Sequence, residues 1–277
     1  MSAGQTLGYD STERATSPYA RFFRPEMDPL SDHVCRALMV GAIAPELMPP
    51  VEQAKALLSG TDDLIETGFT IARDGAMRIA VLTPMPGVTP AMWDWWFAWH
   101  GSEAQRYKLW HPQAHVSAVW DDGRADLDHY IGRISHVVEY IGPERLNLAI
   151  RFLRPSAMGL DEQVLAQTGA TAICARGSID GTPMETGWLI HHVRPVPGGC
   201  EMRSRFWLGG ANVQPRGMPG PLGRIIGQAA ARMNRLAAGQ ARDLLVHCAQ
   251  EMAHLARILP DLYAAFAKPA QIDPGVQ

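Results

Sequence analysis

Between residues 115 and 209 the chain holds six strand-length segments and no long helix, and this constrains its fold more than any other feature. The segments are 115–120, 134–141, 146–153, 170–178, 186–194 and 200–208, many of them separated by Gly, Pro or Asp-Gly. Parallel strands need a long crossover, so neighbours this close in sequence pair antiparallel. After Pro219-Gly220-Pro221 the chain becomes Ala- and Leu-rich and reads as helical to about Ala267, with breaks expected near Gly239 and Pro260. A sheet must cover its apolar face and a long helix its apolar stripe. The simplest joint solution is an α+β fold in which a curved antiparallel sheet grips the terminal helix and leaves a pocket between them.

Upstream, residues 1–25 read as a flexible arm. Residues 27–60 contain short helical pieces broken by Pro49-Pro50, and Glu52 to Leu58 reads as a helix stopping at Gly60. A hairpin is expected where Gly68–Ala72 and Met77–Leu82 flank Asp74-Gly75, a dipeptide that tolerates positive φ. Thr89-Pro90 opens a helix through Met92-Trp93-Asp94-Trp95-Trp96-Phe97-Ala98-Trp99-His100, since threonine caps free N–H groups and proline is preset for a first turn. A second piece, Ser102 to Trp110, ends before Pro112. The organisation expected is an arm over 1–25, a mainly helical and hairpin region over 26–112, the sheet-and-helix domain over 113–267, and a tail over 268–277.

Composition narrows the function. Apolar residues make up 47% and charged residues 19%, enough for a buried core. A formal net charge of −3 with dispersed Lys and Arg argues against a nucleic-acid or polybasic membrane partner. No apolar run approaches the roughly 18 residues of a membrane span, and the first twenty residues lack a signal-peptide layout. The four cysteines, Cys35, Cys174, Cys200 and Cys248, are scattered, which suits reduced thiols and a cytoplasmic location.

Several residues could do chemistry. His247 and Glu251 stand four apart on the terminal helix and share a face; together they are half of a metal site. His111 and His115 are also four apart, but Pro112 disfavours helix at His111. His115 begins a strand, on one side with Ser117 and Val119. Glu139 sits in the apolar strand Ser135-His136-Val137-Val138-Glu139-Tyr140-Ile141. It either faces water or, if buried, needs a partner such as a divalent cation. Of His191 and His192, at most one enters the pocket, where it is either a hydrogen-bonded core histidine or an acid–base group. The stripe Met92, Trp93, Trp95, Trp96, Phe97, Trp99 is ordinary core or the wall of an aromatic site. His33 and His129 are expected to be exposed, His254 to stand behind His247, and Arg203 and Arg205 to form structural ion pairs. P-loop, GxGxxG, GxSxG and HExxH motifs are absent.

Three strings, Met92-Trp93-Asp94-Trp95-Trp96-Phe97, Arg106-Tyr107-Lys108-Leu109-Trp110-His111-Pro112 and Glu201-Met202-Arg203-Ser204-Arg205-Phe206-Trp207, resemble the 2,4-diacetylphloroglucinol hydrolase and phloretin hydrolase family. The resemblance runs from roughly residue 30 to 265. It implies a Bet v 1-like helix-grip fold with a small N-terminal region, a homodimer, and hydrolysis of the carbon–carbon bond between a phenolic ring and an acyl group. It also implies Zn2+ held by two histidines and two glutamates. Carried over, these are His115 (with His111 as second candidate), Glu139, His247 and Glu251. A pocket tyrosine matches Tyr107, and a pocket histidine matches His191 or His192, the pair expected to handle protons. A further substrate-contacting tyrosine is replaced here by Phe206, and Trp95 is a candidate substrate wall. The expected partner is a small aromatic acyl-phenol. Two alternatives stand beside this reading, a non-catalytic helix-grip carrier of hydrophobic aromatic ligands and a metal-dependent esterase.

Overall fold

The computed structural model describes residues 6–59, 65–218, 220–233 and 238–267. The expected stop at Gly60, the turn residue Pro219 and the tail 268–277 lie outside them. Helices α1 (Ser11–Thr16) and α2 (Asp32–Val40) precede strands β1 (Gly68–Ile71) and β2 (Met77–Pro86). Helices α3 (Pro90–Trp99) and α4 (Ala104–Trp110) follow, then strands β3 (His115–Trp120), β4 (Ile134–Ile141) and β5 (Glu144–Leu153). A short helix α5 (Glu162–Thr168) leads into β6 (Thr171–Ile179), β7 (Met184–Val196), β8 (Gly199–Leu208) and β9 (Gln214–Pro215). The chain closes with α6 (Pro221–Met233), α7 (Ala238–Ala256) and α8 (Leu259–Phe266).

The strands form one antiparallel sheet in the order β1-β2-β8-β7-β6-β5-β4-β3, with β9 paired to β7. Helix α7 packs against β1 and β2 and also against β4. In a flat sheet β2 and β4 would stand about 24 Å apart at ~4.8 Å per strand, too far for one helix about 10 Å across to touch both. The sheet therefore curls around α7, the expected helix grip. Strand alternation gives it two dry faces. Met77, Ile79, Val81, Ile173, Val193 and Met202 face inward with Leu245 and Met252 of α7. Cys174, Ile190 and Trp207 face outward beneath Ala54 and Leu57 of a 3-10 helix at Val51–Leu58.

The expected strands appear almost residue for residue. The β1–β2 turn uses Gly75 at φ +83°. Two readings of the N-terminal half need correction. The hairpin does not stand apart from the later strands: β2 pairs with β8 from Met77↔Leu208 to Pro86↔Gly199, so the sheet crosses the expected boundary at residue 112. The reason is the apolar inner face of β2, which finds its cover on α7. The expected arm is also packed from Tyr9 onward. Tyr9 stacks on Phe23 with centroids 4.3 Å apart, Tyr19 and Phe22 pack edge-on against Phe266, and Glu13 bonds Lys108 Nζ at 3.0 Å. Arg203 and Arg205 both pair with Glu66 on the outer face, as expected of structural arginines.

Candidate metal centre and active site

Two local geometries bring four side chains together. His115 and Glu139 are directly opposite on β3 and β4, and a bulge follows His115. Cross-strand partners hold their Cβ atoms about 5 Å apart on one face. His247 and Glu251 are one helical turn apart on α7. Because the sheet wraps α7, both pairs aim at one buried point. His115, His247 and Glu251 offer donor atoms within 4.8 Å of one another.

The individual separations are informative. His115 Nε2 lies 3.4 Å from His247 Nε2, 3.5 Å from Glu139 Oε2 and 3.5 Å from Glu251 Oε2. His247 Nε2 lies 3.7 Å from Glu251 Oε2 and 4.0 Å from Glu139 Oε2. Four ligands at about 2.0–2.2 Å around a tetrahedral ion stand about 3.3–3.6 Å from each other. These five spacings lie at or a few tenths of an ångström above that edge, while Glu139 stands outside the group of three donors that lie within 4.8 Å of one another. Nitrogen and carboxylate oxygen in this number suit a divalent cation, so the residues fit the metal that the resemblance implies.

Partners behind these donors orient them. A carbonyl has no proton to give, so His115 Nδ1–H donates to Tyr107 O at 3.1 Å, which leaves the Nε2 lone pair facing the cluster. His247 likewise donates to the Tyr140 carbonyl. The Tyr107 hydroxyl donates to Glu139 Oε2, and its ring stacks on His115 with centroids 3.9 Å apart. Burial dominates the electrostatics. It lowers His247 to about 4 and His115 well below the usual range, so both are neutral ligands near pH 7. It raises Glu139 to about 7, against the lowering effect of the Tyr107 bond, and raises Glu251 well above the usual carboxylate range, with Glu139 adding repulsion. Two carboxylates gathered in a dry place are expensive without a cation.

The other candidates sort by strand parity. His191 lies on the inner face of β7, buried, with Nδ1 2.8 Å from Ser204 Oγ. Its ring stacks on Phe97 and meets Phe206 edge-on, at 5.9 and 5.7 Å between centroids. Burial lowers it to about 3. His192 points outward, toward Arg203, Arg205 and Glu66, away from the cluster. His111 adopts non-helical φ −143° as the C-cap of α4, and its ring stacks on His247 at 4.9 Å instead of joining the donors. Trp95 is not brought to the site: it stacks on Trp99 and meets Tyr263 of α8. Phe97 and Trp110 form the aromatic wall instead, Phe97 touching His191 and Trp110, and Trp110 touching His115 at 5.4 Å. His129 is exposed as expected, whereas His33 is half-buried and bonds Leu82 O at 2.9 Å. Phe97 belonged to the stripe expected to be either core or aromatic wall, and Trp110 lay inside a recognised string with no role of its own. Ser204 carried no signal, because a lone serine in a strand has none.

Seven buried imidazoles (His100, His111, His115, His191, His192, His247 and His254) are all lowered, with desolvation the leading cause. They are neutral in the fold, while the unfolded chain protonates them below about pH 6.5. Stability therefore falls as pH drops through that value toward 4. Glu139 and Glu251 act in the opposite sense, because the fold retains protons that the unfolded carboxylates release above about pH 4.5. His136, where desolvation is outweighed by Asp121 and Asp180, is raised and so differs from the unfolded chain only above about pH 6.5, outside this window. Seven groups outweigh two. At about 1.4 kcal/mol per pH unit for each net proton, most of the stability is expected to vanish between pH 6.5 and 4.5. Urea melts at stepped pH check this, and a flat midpoint across the window would contradict it.

The chain matches the family described as "DAPG hydrolase PhiG domain" over residues 47–264. It is 31% identical over 271 residues to a 2,4-diacetylphloroglucinol hydrolase of a Pseudomonas species, covering 91% of this chain and 90% of that one. It is 30% identical over 272 residues to a phloretin hydrolase of Eubacterium ramulus, covering 94% of each. Among solved structures, that of Ara h 8.0201 aligns with a TM-score of 0.31 at 11% identity, covering 62% of this chain and 99% of that one.

Proposed function

This chain belongs to the DAPG hydrolase PhiG domain family, and from that premise we propose that it is a zinc-dependent hydrolase cleaving the carbon–carbon bond between a phloroglucinol-type ring and its acyl group. The observation that carries the metal part is the buried convergence of His115, Glu139, His247 and Glu251, with Nε2–Oε2 spacings of 3.5–4.0 Å. The net reaction adds one water: its hydroxyl ends on the acyl carbon as a carboxylic acid, and the ring carbon takes up a proton. The ring can leave because its phenolic oxygens accept the bonding electrons as a phenolate or enolate. What zinc supplies when bound is Lewis acidity toward the acyl carbonyl.

The protein supplies the rest. Tyr107 holds the Glu139 carboxylate and, through its carbonyl, the His115 ring. Phe97, Trp110 and Phe206 offer flat apolar surface that excludes water and suits an aromatic ring. His191 is the imidazole left to contact the substrate and handle its proton, with Tyr107 assisting from the Glu139 side of the site. A homodimer belongs to the same proposal, supported by Leu222, Ile225 and Met233 exposed along α6. So does a cytoplasmic location, supported by four unpaired cysteines. Among the described residues no helix is long and apolar enough to cross a membrane.

The deciding experiment combines elemental analysis of the purified protein with product analysis on a panel of acylphloroglucinols, phloretin and aryl esters. Stoichiometric zinc and free ring plus carboxylic acid support the proposal. Turnover of esters alone, or a metal-free active protein, rejects it. His191→Gln is expected to slow turnover by about 10²–10⁴-fold with zinc retained, while the outward His192→Gln stays within a few-fold. Equal losses in steady-state assays of the two variants would overturn the assignment of His191.

A further inference from the structure

We propose that Ser204 fixes the tautomer of His191, so that the ring presents Nε2–H to the pocket as a hydrogen-bond donor. The functional consequence rests on the reading of His191 given above. The assignment of the tautomer rests on geometry alone.

His191 and Ser204 are register partners on β7 and β8, both on the inner face. Ser204 Oγ lies 2.8 Å from His191 Nδ1. Ser204 is fully buried, at 0% exposure, so its hydroxyl cannot turn to water instead. A serine hydroxyl has one proton to give, and an imidazole nitrogen lone pair is a strong acceptor. Among the described residues Nδ1 is the hydrogen-bond partner of that hydroxyl, so the proton goes to Nδ1. The opposite arrangement, Nδ1–H to Oγ, would leave the hydroxyl proton without an acceptor inside a dry core.

With Nδ1 accepting, the proton of a neutral His191 sits on Nε2. No described residue forms a hydrogen bond to that atom, and the ring lies between Phe97 and Phe206, neither of which can accept strongly. A donor left this way takes an oxygen from water or from a bound substrate. An acyl-phenol brings several, and those on the departing ring gain negative charge as the carbon–carbon bond breaks. A neutral donor already in place stabilises that charge without first having to be protonated.

Ser204 acts through His191 and is a positioning residue, so the test reads the ring directly. The full-length metal-loaded protein is labelled with 15N-histidine, and the His191 signals are identified by their loss in His191→Gln. Wild type is expected to show Nδ1 as the unprotonated and Nε2 as the protonated nitrogen. Ser204→Ala is expected to mix or invert that pattern and to lower kcat by about 10- to 100-fold, with KM and zinc content little changed. Ser204→Thr, which keeps the hydroxyl, is expected to restore both. A protonated Nδ1 in the wild type overturns the proposal, and so does a Ser204→Ala protein with unaltered tautomer and kcat. If Ser204→Ala does not fold, the wild-type spectrum and Ser204→Thr still decide. The expected tautomer together with full activity in His191→Gln would support the tautomer assignment and sink only the functional reading.

Discussion

His247→Ala and Glu251→Ala proteins are expected to emerge folded, without bound metal, and with hydrolytic activity reduced by about 10³-fold or more. Each substitution removes one of two donors on a single turn of α7, and the remaining three cannot close a tetrahedral shell. The fold should survive, because losing either side chain relieves part of a crowded polar cluster: Glu251 and Glu139 repel, and each imidazole is desolvated. Elemental analysis and turnover of an acylphloroglucinol are the paired measurements. Full activity in a metal-free variant would reject metal dependence. Normal metal content with lost activity would instead move these residues from holding the ion to contacting the substrate.

The second large effect lies far from the cluster. Glu13→Ala is expected to destabilise the protein by about 3–5 kcal/mol, because it leaves the ammonium of Lys108 buried without its counter-charge. Lys108 is wholly buried, and both carboxylate oxygens of Glu13 lie 3.0 Å from its Nζ. The double variant Glu13→Leu with Lys108→Met is expected to recover most of that loss, since an apolar pair needs no partner. Urea unfolding of the two proteins measures both. A loss under about 1 kcal/mol for Glu13→Ala would mean that the N-terminal segment is an appendage. The expected loss makes it part of the wall behind α4, the helix that carries Tyr107.

The difference between these sites shows what was legible beforehand. The His247–Glu251 pair could be read directly, because its geometry depends only on helical periodicity within five residues. Strand limits were legible for the same reason: alternation and turn residues are local signals. Lys108 and Glu13 were not legible as a pair, because 95 residues separate them and neither carries a pattern. The packing of Tyr9, Tyr19 and Phe22 was missed likewise, since three aromatics in a polar stretch show no period. Trp95 was misplaced because a tryptophan stripe gives the helix but not the partner of each ring.

By itself, then, the amino-acid order determined the antiparallel elements, the terminal helix and the shared face of His247 and Glu251. Each of these follows from rotations of 100° or 180° per residue along one segment. Only the tertiary structure decided that His115 opposes Glu139, that His191 and not His192 faces inward, and that β2 joins β8. Register and facing are parities, and a parity needs an origin that only the pairing of distant strands around α7 supplies.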